Sequence, residues 1–157
     1  MAKDRLKKRI DVAAKRIPAD TVIKNCKIVN VYSHEIINGD IAISDGKIAA
    51  IGSYEGKEEI DAKGNYALPG FINSHIHIES SFVSPEEFSR LVVPHGTTTI
   101  IADPHEIVNV CGIDGLDYMI NAAENAVLNI KYMLPSCVPC TPWEHSGAVV
   151  DTEAMKS

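Results

Sequence analysis

No hydrophobic run in this chain reaches the ~18 residues that a membrane-crossing helix needs. Its basic N-terminal stretch, Lys3-Asp4-Arg5-Leu6-Lys7-Lys8-Arg9-Ile10, has none of the apolar core of a signal peptide. Positive charge is scarce as well: 15 Lys and Arg stand against 21 Asp and Glu, a formal net charge of -6, which excludes a broad basic field for nucleic acid. A Gly-rich phosphate loop is missing, because Pro69-Gly70 and Pro94-His95-Gly96 fit neither G-x-G-x-x-G nor the P-loop and instead punctuate strand entries. Gly96 serves backbone geometry there. Four cysteines without a secretion signal predict no disulfide, with Cys26 and Cys111 read as buried small hydrophobes. Disorder bias is absent too: 45% of residues are hydrophobic and 23% charged, a globular composition. The expectation is a soluble, cytoplasmic protein with neither nucleic acid nor membrane as a partner.

What the chain does have is Leu68-Pro69-Gly70-Phe71-Ile72-Asn73-Ser74-His75-Ile76-His77-Ile78-Glu79, an apolar run that ends on two histidines one residue apart. In a strand, residues i and i+2 share a face, so His75 and His77 aim their imidazoles at one point. Imidazole is the commonest metal ligand, and two convergent rings at a strand end form half of a catalytic metal site. A second strand, Gly96-Thr97-Thr98-Thr99-Ile100-Ile101-Ala102, is β-branched and runs into Asp103-Pro104-His105-Glu106, which adds three ligand-type side chains. Between the two strands, Ser84 as N-cap, Pro85 at the first helical position, the acids Glu86 and Glu87, and apolar Phe88, Leu91 and Val92 predict a helix. A third unit follows, with a helix over about Gly115 to Ala126 and a strand over 129–134. It ends in the polar loop Pro135-Ser136-Cys137-Val138-Pro139-Cys140. Strands alternating with helices, each with reactive residues at its C-terminal end, predict a parallel α/β architecture, an open sheet or a (β/α)8 barrel.

Upstream, residues 22–31 and 40–52 alternate apolar residues in strands joined by an Asp45-Gly46 turn, the signature of a hairpin. Residues 1–20 are read as a helix that packs Leu6, Ile10, Ala13 and Ile17 on one face. His34 falls in the hairpin segment and is expected in solvent.

The run Pro69-Gly70-Phe71-Ile72 followed by His75-Ile76-His77 resembles the first barrel strand of the amidohydrolase superfamily of metal-dependent hydrolases. The longer wording is similar to the bacterial adenine deaminase branch of that superfamily. It comprises His75 to Ser81, Pro94 to Thr99, Ala102 to Ile107, Met133 to Pro139 and Ser146-Gly147-Ala148. The resemblance implies an α/β fold: the N-terminal part of a (β/α)8 TIM barrel over 67–157, preceded by a partial β-sandwich segment over 21–66. It implies a hydrolase acting on a C–N bond of a cyclic amidine, which removes the 6-amino group of adenine to give hypoxanthine and ammonia in purine salvage. It also implies a binuclear centre of Mn2+, with Fe2+ or Zn2+ as alternatives that suit the same donors, and a homo-oligomer for the full-length enzyme. His75, His77, Asp103, His105 and Glu106 become the metal candidates, Glu79 and Glu106 the catalytic carboxylates, and Ser136 and Cys137 the substrate-binding pair. Glu79 is read as a ligand, as an acceptor orienting a histidine, or as a plain polar strand end. Asp103-Pro104 also reads as a turn with an Asx cap. Trp143, Glu144 and His145 lie where the substrate-facing loop of the family runs, and His145 departs from its pattern; His95 reads as a structural histidine.

A whole barrel takes roughly 200 to 250 residues, and this chain has 157. It is therefore read as the N-terminal fragment of a longer enzyme, inactive alone, with ligands from later strands missing. Two other readings remain open at this point. His77-Ile78-Glu79 with Cys137-Val138-Pro139-Cys140 mimics the H-x-E and C-x-x-C elements of compact zinc nucleobase deaminases, although Ser136 stands where that motif has Pro and each element follows a strand-like run. Alternatively, the chain is a noncatalytic piece that docks onto a complementary chain through an exposed barrel edge strand.

Overall fold

The computed structural model describes residues 2–156. They form two compact units, divided between Pro69 and Gly70.

The first unit carries helix α1 (Ala2–Ala13) and strands β1 (Ala19–Asn30), β2 (Glu35–Ser44), β3 (Lys47–Gly52), β4 (Gly56–Asp61) and β5 (Tyr66–Ala67). The sheet runs β3-β2-β1-β4, with β5 also on β1. The expected hairpin is β2–β3: Asp45 and Gly46 both take positive φ, 51° and 68°, the pairing that a two-residue turn with the twist of its strands demands. Long β1 pairs β4 along its first half and β5 along its second. Between the halves its register with β2 shifts at a bulge, where Asn25 has φ 57°. Asp40, 8% exposed, fills that bulge. It accepts the Asn25 and Tyr54 N–H groups at 3.1 and 3.2 Å and pairs with Lys24 Nζ at 2.9 Å. Burial pushes its carboxyl up, yet Lys24 and these two N–H groups together hold it below the ordinary carboxylate range.

Helix α1 departs from expectation. It stops at Ala13, and Leu6 and Ile10 are each 52% exposed and Ile17 40%, whereas Val12 is fully buried against Ala19, Val22 and Ala42. Polar contacts also orient the helix. Lys8 bridges Asp20 at 2.7 Å and Asp45 at 3.0 Å, and Tyr54 donates its hydroxyl to the Ala13 carbonyl at 3.0 Å.

The second unit carries β6 (Phe71–Ile76), a 3-10 turn (Ile78–Ser81), α2 (Pro85–Val92), β7 (Thr97–Ala102), α3 (His105–Cys111), α4 (Ile113–Ala123) and β8 (Asn129–Tyr132). The three strands pair in parallel in the order β6-β7-β8, so their C-terminal ends share one edge. The expected α/β layout is therefore present, and the helix predicted over 115–126 is α4. Ile78, Phe88, Ile100, Ala102, Met119 and Leu128 form the core, where each large side chain taken from water contributes about 1.5–3 kcal/mol. Ser84 caps α2 with extended backbone. Leu91, expected to be inward, is 55% exposed, and Ser89 is buried instead because its Oγ accepts the Leu128 N–H at 3.0 Å. Cys26 is buried as expected, but Cys111 at the end of α3 is exposed.

Two close approaches fix where β6 begins. A Cβ on Gly70 would stand 2.1 Å from Thr98 Oγ1 and 2.7 Å from Thr98 Cβ, so only glycine lets β6 enter beside β7. Gly96 takes φ +93° to turn the chain into β7, and its carbonyl accepts the Phe71 N–H at 2.8 Å.

Candidate metal centre

His75 is the penultimate residue of β6, and His77 follows the strand with backbone still extended at φ -103°, ψ 105°. The alternation of the strand thus continues through His77 and brings the two rings to one side. Their Nε2 atoms stand 3.2 Å apart, with ring centroids at 5.0 Å. Two nitrogens bound at ~2.1 Å to one tetrahedral ion stand about 3.4 Å apart, so the observed spacing is the spacing of a chelating pair. Asn73 supports it, because its Oδ1 accepts the His75 N–H at 3.2 Å across a local i to i+2 turn.

Asp103 arrives from the neighbouring strand. Its N–H donates to the Ile76 carbonyl at 2.8 Å, which extends the β6–β7 ladder by one residue and sets the carboxylate beside the histidines. One ligand atom from each of His75, His77 and Asp103 lies within 4.8 Å of the others. Asp103 Oδ1 is buried without a hydrogen-bond partner among the described residues. A buried carboxylate oxygen with no partner costs free energy unless something positive faces it. Two neutral imidazoles and a carboxylate are a donor set that suits a divalent transition ion.

The remaining candidates fall into different places. His77 Nδ1 lies 2.9 Å from Glu106 Oε2, and Ser80 donates its hydroxyl to Glu106 Oε1 at 3.1 Å. An ionised carboxylate only accepts, so the proton sits on Nδ1 and leaves a lone pair on Nε2, directed at the cluster. Burial pushes the Glu106 carboxyl up, but its own N–H, His77 and Ser80 together hold it below the ordinary glutamate range. Glu79, on the 3-10 turn, accepts the Ile107 N–H with Oε1 at 3.3 Å, while its Oε2 is buried without a partner among the described residues. His105 opens α3 with its ring 6.4 Å from that of His77, outside the three-residue cluster. Ser136 and Cys137 are exposed in the loop after β8, on the shared C-terminal edge of the sheet. Tyr132, at the end of β8, has its phenol pushed well up, first by burial and then by Glu79 and Glu86, and it donates to the Met119 carbonyl at 2.8 Å.

The compact zinc arrangement is not formed. Among the described residues the thiols of Cys137 and Cys140 join no ligand cluster with His77, and His77-Ile78-Glu79 leaves a parallel strand for a 3-10 turn, with no α-helix beginning there. Asn73 and Ser80 are the supporting residues that the motif reading did not single out. The signal available for Asn73 was its position two residues before His75, an Asx-type spacing.

The sequence model of the amidohydrolase family matches residues 66–157. This chain belongs to the amidohydrolase family. It is 64% identical over 156 residues to adenine deaminase 2 of Desulfotalea psychrophila and 61% identical over 157 residues to adenine deaminase of Ligilactobacillus salivarius. In each pairing 99% of this chain meets 27% of the relative. Adenine deaminase of Halalkalibacterium halodurans is 54% identical over 155 residues, covering 97% of this chain and 26% of its own length. The chain thus spans about a quarter of the length of the curated relatives it matches. A solved structure, N-acyl-D-glutamate deacylase from Bordetella bronchiseptica complexed with zinc and a phosphonate inhibitor, aligns with a TM-score of 0.47. That pairing has 29% identity over 61% of this chain and 19% of the other. His75-Ile76-His77, at the end of the first parallel strand, is the feature around which the cluster is built.

Proposed function

We propose that this chain supplies the first ligands and two carboxylates of an adenine deaminase, which hydrolyses adenine to hypoxanthine and ammonia. The observation that carries this reading is the 3.2 Å approach of His75 Nε2 and His77 Nε2 beside the partnerless Asp103 oxygen. Adenine as the substrate is supported by the names of the relatives at 54–64% identity. The three parallel strands and their helices are read as the opening of a (β/α)8 barrel, and the first unit as part of a β-sandwich. His75, His77 and Asp103 would hold the first ion of a binuclear centre, with Mn2+ favoured over Fe2+ or Zn2+, and His105 stands toward a second. When bound, a divalent ion supplies Lewis-acid activation of water at neutral pH. Glu106 locks the His77 tautomer and keeps the ring turned. Glu79, with one oxygen tied to Ile107 and the other unpaired, is the group to take a proton from the attacking water and return it to N1 or to the departing ammonia. Ser136 and Cys137 on the β8 loop would face the base. An assembled full-length enzyme is expected to form a homo-oligomer.

The test is a chimaera in which this chain replaces the matching quarter of the Desulfotalea psychrophila relative, assayed for ammonia release from adenine with Mn(II) added. Activity that disappears in the His77→Ala chimaera is the expected result. A folded chimaera whose activity survives His77→Ala would refute the reading.

A further inference from the structure

Cys137 and Cys140 take no part in the ligand cluster, and both are exposed in the loop that follows β8. The chain bends through 138–141 and folds Cys140 back, so that its Sγ–H donates to the Cys137 carbonyl at 3.3 Å. Glu144 clamps the bend from the other side: its Oε2 accepts the Cys140 N–H at 3.1 Å and its Oε1 the Thr141 hydroxyl at 3.3 Å. One of the two residues between the thiols is anchored as well. Val138 is 2% exposed, packs with Val108 and Val150, and accepts the Val150 N–H at 2.7 Å. The Cys140 thiol is held above its ordinary pKa, first by a hydrogen bond with the Cys137 side chain, then by burial and by the charges of Cys137 and Glu144. The two side chains are therefore neighbours on a clamped loop that is open to solvent.

We propose that Cys137 and Cys140 form a redox-active dithiol, which hydrogen peroxide converts to an intramolecular disulfide. The Cys137 thiolate attacks one peroxide oxygen, the O–O bond breaks, and the sulfur becomes a sulfenic acid while the other oxygen leaves as water. The Cys140 thiol then attacks that sulfur; the S–S bond forms and a second water departs. Two thiols are oxidised and one peroxide is reduced to two waters. The bond would pin the loop that carries Ser136 at the C-terminal edge of the parallel sheet. The other exposed thiol, Cys111, lies at the end of α3 and is the competitor to exclude.

The experiment treats the full chain with stoichiometric hydrogen peroxide, blocks the remaining thiols with iodoacetamide, and reads intact mass and the peptide spanning 137–140. Expected in the unaltered chain, and equally in Cys111→Ser, is loss of the mass of two hydrogens with both residues shielded from alkylation, reversed by dithiothreitol. Cys140→Ala, lacking a resolving thiol, is expected to stop at sulfenic acid on Cys137 and, given a second equivalent of peroxide, to proceed to sulfinic acid. The proposal is overturned if both thiols stay alkylable after peroxide, if the unaltered chain accumulates these acids as Cys140→Ala does, or if the disulfide formed contains Cys111. None of these readouts involves metal or adenine, so the outcome is separate from the deaminase reading.

Discussion

At the scale of single residues, the centre depends on one proton being in the right place. Glu106 accepts from His77 Nδ1 at 2.9 Å and so leaves Nε2 free, 3.2 Å from its counterpart on His75. Removing the charge while keeping the shape separates this orienting role from simple packing. Glu106→Gln is expected to weaken divalent-metal affinity by about 10- to 100-fold, the usual cost of losing a carboxylate behind a ligating imidazole. Melting behaviour should change little, since Glu106 is half exposed; competition titration against a chromophoric chelator reads the first effect and calorimetry the second. The H-x-H pair was legible because a strand has period two, and Asp103 because it closes a β-branched run. The Glu106–His77 bond was not legible. It joins residues 29 apart, and only the parallel register of β6 and β7 brings them together.

At the scale of elements, the position of β6 decides where the histidines point, and Gly70 decides where β6 enters. Gly70→Ala would drive a methyl group into the side chain of Thr98. The expected cost is about 1–3 kcal/mol, typical of overpacking, read as a lowered urea midpoint together with weaker metal binding as β6 shifts. In the first unit, Asp20 is gripped by Lys8 at 2.7 Å, the Asp45 N–H at 3.0 Å and Lys57 at 3.1 Å, which hold its carboxyl far below the ordinary aspartate range. A carboxyl depressed in the folded state adds stability above its unfolded pKa of about 3.9 and loses it as pH falls through and below that value. The urea midpoint should therefore drop as pH is lowered from about 5 toward 3, and Asp20→Asn should flatten that slope. The same ion pairs explain why the apolar stripe of α1 does not face the core as its spacing predicts. Helical spacing alone assigned Leu6 and Ile10 to the core, but the bridges from Lys8 to Asp20 and Asp45 rotate Val12 inward instead. Helix α3 was also missed, because its first turn has no capping side chain: Pro104 occupies the cap position with φ -81°, ψ 46°.

At the scale of the whole molecule, the parallel order β6-β7-β8 was readable from alternating strand and helix patterns, while the two-sided pairing of β1 with β4 and β5 was not. Strand β4 is Gly-Lys-Glu-Glu-Ile-Asp, mostly exposed and charged, and carries no apolar alternation to announce it. Parallel sheets normally bury both faces, yet Phe71 and Ile72 are 57% and 68% exposed here. If His75, His77 and Asp103 form one ion site, calorimetric titration of the full chain with Zn(II), a strongly binding probe for such donors, registers it. One ion per chain, with His77→Ala weaker by about 100-fold or more, as expected when a direct ligand rather than a supporting group is lost, is the predicted result. Equal affinity in the unaltered and His77→Ala chains, or no binding by the folded chain, would contradict it.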